Sequence, residues 1–126
     1  MHLEEENMSK TLKVTTDNEI SVIEVDFNDF RSIQNAIGGY FETVKTLRMR
    51  SYFGRPLMIM VDEEGLIKGL PTNKCGSWLY GMDRHGCRIA GDFILAVPTD
   101  DGNILSPDNL DSIKEKLIKD FNLVEK

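Results

Sequence analysis

Two groups of side chains combine residue types and spacing that can carry chemistry. The first is Lys68, Asn73, Trp78 and Arg84, in or beside a Gly-containing stretch over 68–88. A Trp beside Lys and Arg can stack on a planar ring and pair with an anion. Irregular segments on a rigid scaffold often carry function. The second group is Arg48, Arg50 and Arg55, interleaved with Tyr52 and Phe53. It repeats the basic-aromatic pairing. Each group also has a plainer reading: Trp78 closes one end of the core, and the arginines form a solvated face.

Other constellations fall short of a site. Cys75, His85 and Cys87 are metal-ligand types, but zinc needs three or four ligands converging tetrahedrally. Their spacings are irregular, there is no C-x-x-C, and the only other histidine is His2. No metal or other cofactor is expected. Asp62, Glu63 and Glu64 lack the spaced acids of a calcium loop, so they read as a solvated turn. The same carboxylates can present an acidic surface to a partner. His85 is the one candidate general base, and Cys75 or Cys87 the candidate nucleophile, with nothing to depress a thiol pKa. Gly38-Gly39 follow a helix, whereas phosphate loops place glycines before one. A non-enzyme is the better reading, with a small hydrolase as the weakest alternative.

The chain has 126 residues and a formal charge of −6. That size suits one domain, with enough core to fold without metal or disulfide staples. Hydrophobic residues make up 40% and charged residues 29%, which excludes a disordered tail. Apolar runs such as Pro56 to Val61 are far short of a membrane span. An acidic chain is a poor general binder of nucleic acid. The charge is uneven, however: residues 31–60 hold one acid and five bases, against eight acids and two bases in residues 1–30. A local basic patch on an acidic body suits a specific anionic partner or an acidic protein surface. The acidic start, MHLEEEN, lacks the apolar core of a signal peptide, and Met8 is an alternative start. Two cysteines make no disulfide framework, so a cytoplasmic protein with free thiols is expected.

The elements that must position these groups can be read in outline. Residues 1–9 form a flexible acidic leader, and residues 10–126 a single domain. Leu12–Thr16 and Ile20–Val25 form a hairpin around Asp17-Asn18. A helix spans Asn28–Ile37, capped by Asp26 or Asn28, with Phe30, Ile33 and Ile37 on one face. Gly38 ends it in a left-handed conformation. Tyr40–Met49 and Leu57–Val61 are strands, so the basic segment 45–55 opens on a strand. Asp62 to Gly65 is a turn, with Gly65 at positive φ, and Leu66–Leu70 returns antiparallel. Residues 72–88 form one long irregular loop with a single helical turn. Ile89–Val97 is a central strand with a bulge or close approach at Gly91-Asp92. Pro98 to Ser106 is a polar loop. The last helix covers 107–121, with Ser106 as its cap, Pro107 at its first position, and Leu110, Ile113, Leu117 and Phe121 in one stripe.

The pattern Ile37-Gly38-Gly39-Tyr40-Phe41-Glu42-x-Val44, the acidic turn Val61-Asp62-Glu63-Glu64-Gly65 and the exit Lys68-Gly69-Leu70-Pro71-Thr72-Asn73 occur in order. With the closing strand Ala90-Gly91-Asp92-Phe93-Ile94-Leu95-Ala96, they resemble a domain-of-unknown-function family of small proteins from phages and mobile elements of Gram-positive bacteria. The resemblance covers roughly residues 12–97. It implies an accessory protein of a phage, prophage or plasmid, and it implies no catalytic residues.

The expected fold is α+β: a mixed or antiparallel sheet of about five or six strands, two helices packed on it, and one long irregular loop. The expected function is non-enzymatic binding of a host or phage protein through the 45–55 strand or the 72–88 loop. The alternative is sequestration of a nucleotide-like anion by Lys68, Asn73, Trp78 and Arg84. No membrane contact is expected. A homodimer through an edge strand or the last helix is open.

Overall fold

In the computed structural model, which describes residues 8–126, the opening hairpin forms as its turn chemistry requires. Strands β1 (Ser9–Val14) and β2 (Glu19–Val25) pair antiparallel, with Ser9 opposite Val25 and Val14 opposite Ile20. Asn18 takes the left-handed conformation at φ 62°, and the Thr15 hydroxyl accepts from the Glu19 amide at 3.2 Å. Ser9 lies in β1, and residues 1–7 of the expected leader, His2 among them, are outside the described residues.

Helix α1 (Phe30–Ile37) is capped by Asp29, whose carboxylate accepts from the Arg31 amide at 3.0 Å. Neither Asp26 nor Asn28 caps it; Asp26 instead accepts from the Asn28 amide. Ile33 and Ile37 are buried as expected, but Phe30 is 71% exposed, its ring tilted against Phe41 at 5.9 Å. Gly38 stops the helix at φ 98°, with nothing near the position a Cβ would occupy. Gly38→Ala should therefore cost about 1 kcal/mol from backbone strain alone. An unchanged urea midpoint would contradict that assignment.

The expected strand over 40–49 is corrected most strongly. Strand β3 covers only Phe41–Val44, and Leu47–Phe53 is helix α2. Thr46 is its cap, accepting from the Met49 amide at 3.1 Å, and Gly54 ends it at φ 73°. Leu47 and Met49 alternate with Arg48 and Arg50 like a strand, but Met49, Tyr52 and Phe53 turn inward at helical spacing.

Strand β4 (Met58–Asp62) is buried throughout. No strand follows at 66–70: residues 62–69 coil into successive turns, because the Asp62 and Glu64 carbonyls accept from the Gly65 and Lys68 amides. The 72–88 segment is not a loop. It holds α3 (Lys74–Tyr80) and α4 (Met82–His85), separated by Gly81 at φ 91°. Strand β5 (Phe93–Pro98) starts later than the expected Ile89, because Gly91 turns the chain at φ 96°. Two-residue strand β6 (Ile104–Leu105) pairs with β5 inside the expected polar loop.

Helix α5 (Leu110–Phe121) begins three residues after the expected Pro107. The Ser106 hydroxyl donates to the Lys10 carbonyl rather than capping the helix, and Asn109 takes the cap position at φ 57°. Ile113 and Leu117 are buried, while Leu110 and Phe121 are half-buried. A last strand, β7 (Val124–Glu125), pairs parallel with β2.

The result is a mixed α+β fold with seven strands and five helices among the described residues, more of each than expected. The sheet order is β3-β4-β5-β1-β2-β7, with β6 beside β5. Strands β4 and β5 are covered on both faces, which explains their near-continuous apolar runs. Met58, Met60, Ile94 and Ala96 face α1 with Ile33 and Ile37. Ile59, Val61, Phe93 and Leu95 face the other side, with Met49, Cys75, Leu79, Ile113 and Leu117.

Candidate functional site

The two basic-aromatic groups meet because α2 and α3 are pinned together. The Thr46 hydroxyl that caps α2 also donates to the Leu79 carbonyl of α3 at 2.8 Å. Two residues on, Arg48 Nη1 donates to the Trp78 carbonyl at 3.1 Å, and the guanidinium lies 5.0 Å from the Trp78 ring centroid. The same Arg48 pairs with Asp83 of α4, at 2.9 and 3.1 Å. That hydrogen bond raises the Arg48 pKa and holds the Asp83 carboxyl below its ordinary value. One arginine thus ties three helices together around one indole.

Trp78 is 45% exposed, so it does not plug the core. It caps an aromatic cluster instead, with Tyr52 at 5.5 Å and Phe121 at 5.6 Å, both edge-on. The Tyr52 hydroxyl donates to Asp120 at 2.7 Å, and Lys116 sits 4.4 Å over its ring. Burial, then Asp120, push the Tyr52 phenol far up, so it stays protonated. On the far side Tyr80 stacks on His85 at 4.8 Å. Between these walls lies an open hollow of about 620 Å³. Lys45, Leu47, Arg48, Ser51, Tyr52, Trp78, Tyr80, Arg84 and His85 line it. Two shallower hollows share Trp78 and open over Lys74, Met82 and Phe121.

The expected site residues divide accordingly. Arg48, Trp78 and Arg84 come together on this face. Arg50 is exposed but does not line the hollow, since two residues along α2 turn it about 200° from Arg48. Arg55 donates to the Asp108 carbonyl at 2.6 Å and fastens the approach to α5. Lys68 pairs with Asp62 at 2.7 Å, away from the hollow. Asn73 is fully buried: it donates to the Val14 and Gly91 carbonyls and caps α3 by accepting from the Gly76 amide. The ring-and-anion set of Lys68, Asn73, Trp78 and Arg84 therefore does not converge. Lys45, from the expected 45–55 segment, and Tyr80, from the expected 72–88 segment, also line the hollow. Thr46 with an amide partner three residues on is the signal that would have placed Lys45 at a helix start.

Among the described residues, no group of three or more His, Cys, Asp or Glu is arranged to hold a metal ion. Cys75 is buried, and desolvation pushes its thiol far up, which suppresses the nucleophilic thiolate. No helix among the described residues is long and apolar enough to cross a membrane.

The sequence motifs gather elsewhere, around the turn after β4. Asp62, with its side chain 1% exposed, accepts from Lys68 and from the Glu64 amide. A Cβ on Gly39 would fall 2.6 Å from the Lys68 ammonium and 2.7 Å from the Asp62 carboxylate. A Cβ on Gly65 would fall 2.4 Å from the Ala90 carbonyl oxygen. Gly65 is fixed by close approach, not by the positive φ expected of it; Gly69 holds that conformation, at φ 68°. These residues build the fold. The model of a domain of unknown function, DUF3846, matches residues 8–118.

The chain belongs to the DUF3846 family. The match extends past the motif region and takes in most of α5, so that helix is part of the DUF3846 domain. No curated protein and no solved structure matches the chain.

Proposed function

We propose that this DUF3846 protein is a non-enzymatic accessory protein of a phage, prophage or plasmid. It works by binding a host or phage protein through the face built by α2, α3 and α4. The observation that supports this reading is the junction at Arg48 and Trp78. There cations and exposed apolar side chains share one surface of an acidic chain. Leu47, 86% exposed, lies beside Lys45, Arg48 and Arg84, and Met82, 45% exposed, lies on the other side of Arg48 in the adjoining hollow. Apolar anchors within a charged rim are the usual composition of a protein-docking surface. Complementary charge there would favour an acidic partner and speed its capture.

The test is capture from a host lysate with the purified protein as bait. Arg48→Glu with Arg84→Glu should reduce recovery of the partner tenfold or more. Arg50→Glu, on the other side of α2, should leave recovery unchanged. Full capture by the double variant would exclude this face. A second reading has its own observation: the hollow falls within the roughly 300–1,000 Å³ typical of small-molecule sites. A nucleotide-like anion carried through gentle purification, visible in a native mass spectrum, would favour it.

A further inference from the structure

The α2–α4 hollow is cationic. Lys45, Arg48 and Arg84 line it, and no carboxylate does. Arg48 is already matched by Asp83. Lys45 and Arg84 are exposed and enter none of the ion pairs among the described residues. Beside them Leu47, Trp78 and Met82 leave apolar surface in water.

The same chain presents the complementary chemistry. On the turn after β4, Glu63 is exposed and Glu64 half-buried. Leu66 and Ile67 follow, 53% and 86% exposed. Acid and apolar side chains are adjacent there, as cation and apolar side chains are in the hollow. The turn is also firmly held by Asp62, which accepts from the Glu64 amide and from Lys68. It needs little further ordering to bind.

One copy cannot satisfy itself. Phe41 pairs with Asp62 at one end of the β3–β4 ladder, and Val44 with Ile59 at the other. Lys45 follows Val44, so turn and hollow lie at opposite ends of β3, about 13 Å apart along the strand at ~3.3 Å per residue. A second copy can bring its turn to this hollow.

We propose that the protein associates with itself head to tail, the 63–67 turn of one copy entering the α2–α4 hollow of the next. Glu63 and Glu64 meet Lys45 and Arg84, and Ile67 covers Leu47 and Trp78. The contact uses two different patches, so it propagates into rings or open chains rather than closing as a two-fold pair. It rests on the reading of this face as a docking surface, and it makes a second copy of the chain one occupant of that face. The charged part is screened by salt, so association weakens as ionic strength rises.

Sedimentation velocity over a concentration series tests it. The wild-type coefficient should rise with concentration in about 0.05 M salt, and the rise should vanish near 0.5 M. Lys45→Glu with Arg84→Glu should abolish the rise, and so should Glu63→Lys with Glu64→Lys. An equimolar mixture of the two variants should restore it, because each reversed patch then meets a reversed partner. Restoration also demonstrates that both variants are folded. A wild-type coefficient fixed at the monomer value overturns the proposal, as does association that neither variant disturbs. If either variant misfolds, the wild-type salt series still decides: a rise unaffected by salt overturns the proposal. A wild-type monomer whose partner capture is still lost in Arg48→Glu with Arg84→Glu sinks self-association alone and leaves the docking face standing.

Discussion

Asn73→Ala is expected to remove about 3–5 kcal/mol of folding stability, summing three buried partners left unpaired at ~1–3 kcal/mol each and allowing for partial relaxation. The carboxamide donates to the Val14 and Gly91 carbonyls at 3.1 Å each and accepts from the Gly76 amide at 2.9 Å. All three bonds are buried. They join β1, the turn before β5 and the start of α3, so one side chain fastens a helix to the sheet. A domain of this kind has about 5–15 kcal/mol in total, so the variant should be largely unfolded by modest urea. Asn73→Asp should do no better. It keeps the acceptor for Gly76 but turns a carboxylate toward two carbonyl oxygens. Equilibrium urea unfolding followed by circular dichroism measures the loss. A midpoint shift worth less than about 1 kcal/mol would remove Asn73 from this role.

This residue illustrates what the sequence conceals. A polar Asn in a Gly-containing stretch carries the signature of a loop, and of a ligand contact. The bonds that bury it come from segments far away in the chain, Val14 among them. The opening hairpin was legible because Asp17-Asn18 and the flanking alternation are local. Strands β4 and β5 were legible because both faces are covered and the apolar runs are unbroken. The stripe of α5 was legible through its spacing, although its start was displaced when Ser106 bonded to β1 instead of capping. Helix α2 was misread because Leu47, Arg48, Met49 and Arg50 alternate like a strand. Its helical facing is decided by tertiary packing against Leu79 and Phe121, not by propensity. The candidate site shows the same division. Residues 45–55 and 72–88 each signalled a basic-aromatic surface, and only the packing of α2 on α3 makes them one surface.

Gly65→Ala should be the most damaging glycine substitution of its size, costing about 2–3 kcal/mol. The new methyl would meet the Ala90 carbonyl oxygen at 2.4 Å, with the Ala90 carbonyl carbon and Cβ at 3.2 Å. Two of these atoms are backbone, and that backbone cannot step aside. The Asn73 amide holds the Ile89 carbonyl at 2.8 Å, and the Gly91 amide holds the Pro71 carbonyl at 2.9 Å. Relief must come from moving the 62–69 turn, which carries the Asp62–Lys68 pair. The melting temperature should fall by about 10 °C, near 4 °C per kcal/mol for a chain of this length. The contrast with Gly38→Ala separates two causes. There the penalty is conformational only, because no atom lies within 4 Å of the added methyl. Equal melting points for the two variants would refute the steric account of Gly65.

The position of β1 between β2 and β5 has a consequence for how the chain is made. Thr11 donates to the carbonyl of Leu95, 84 positions later. The β1–β2 hairpin therefore emerges from the ribosome well before the strand that completes its other edge. Leu95 follows the end of the hairpin at Val25 by 70 positions, so at about 5–20 residues per second that partner arrives on the order of 4–14 seconds afterwards. During that interval Leu12, Val14, Ile20 and Val25, all fully buried in the finished sheet, have only a two-stranded ribbon to shelter them. A lone hairpin of this kind is marginal in water. The nascent protein thus passes through a window in which its opening hairpin is a sticky, half-paired ribbon, and the arrival of β5 closes that window.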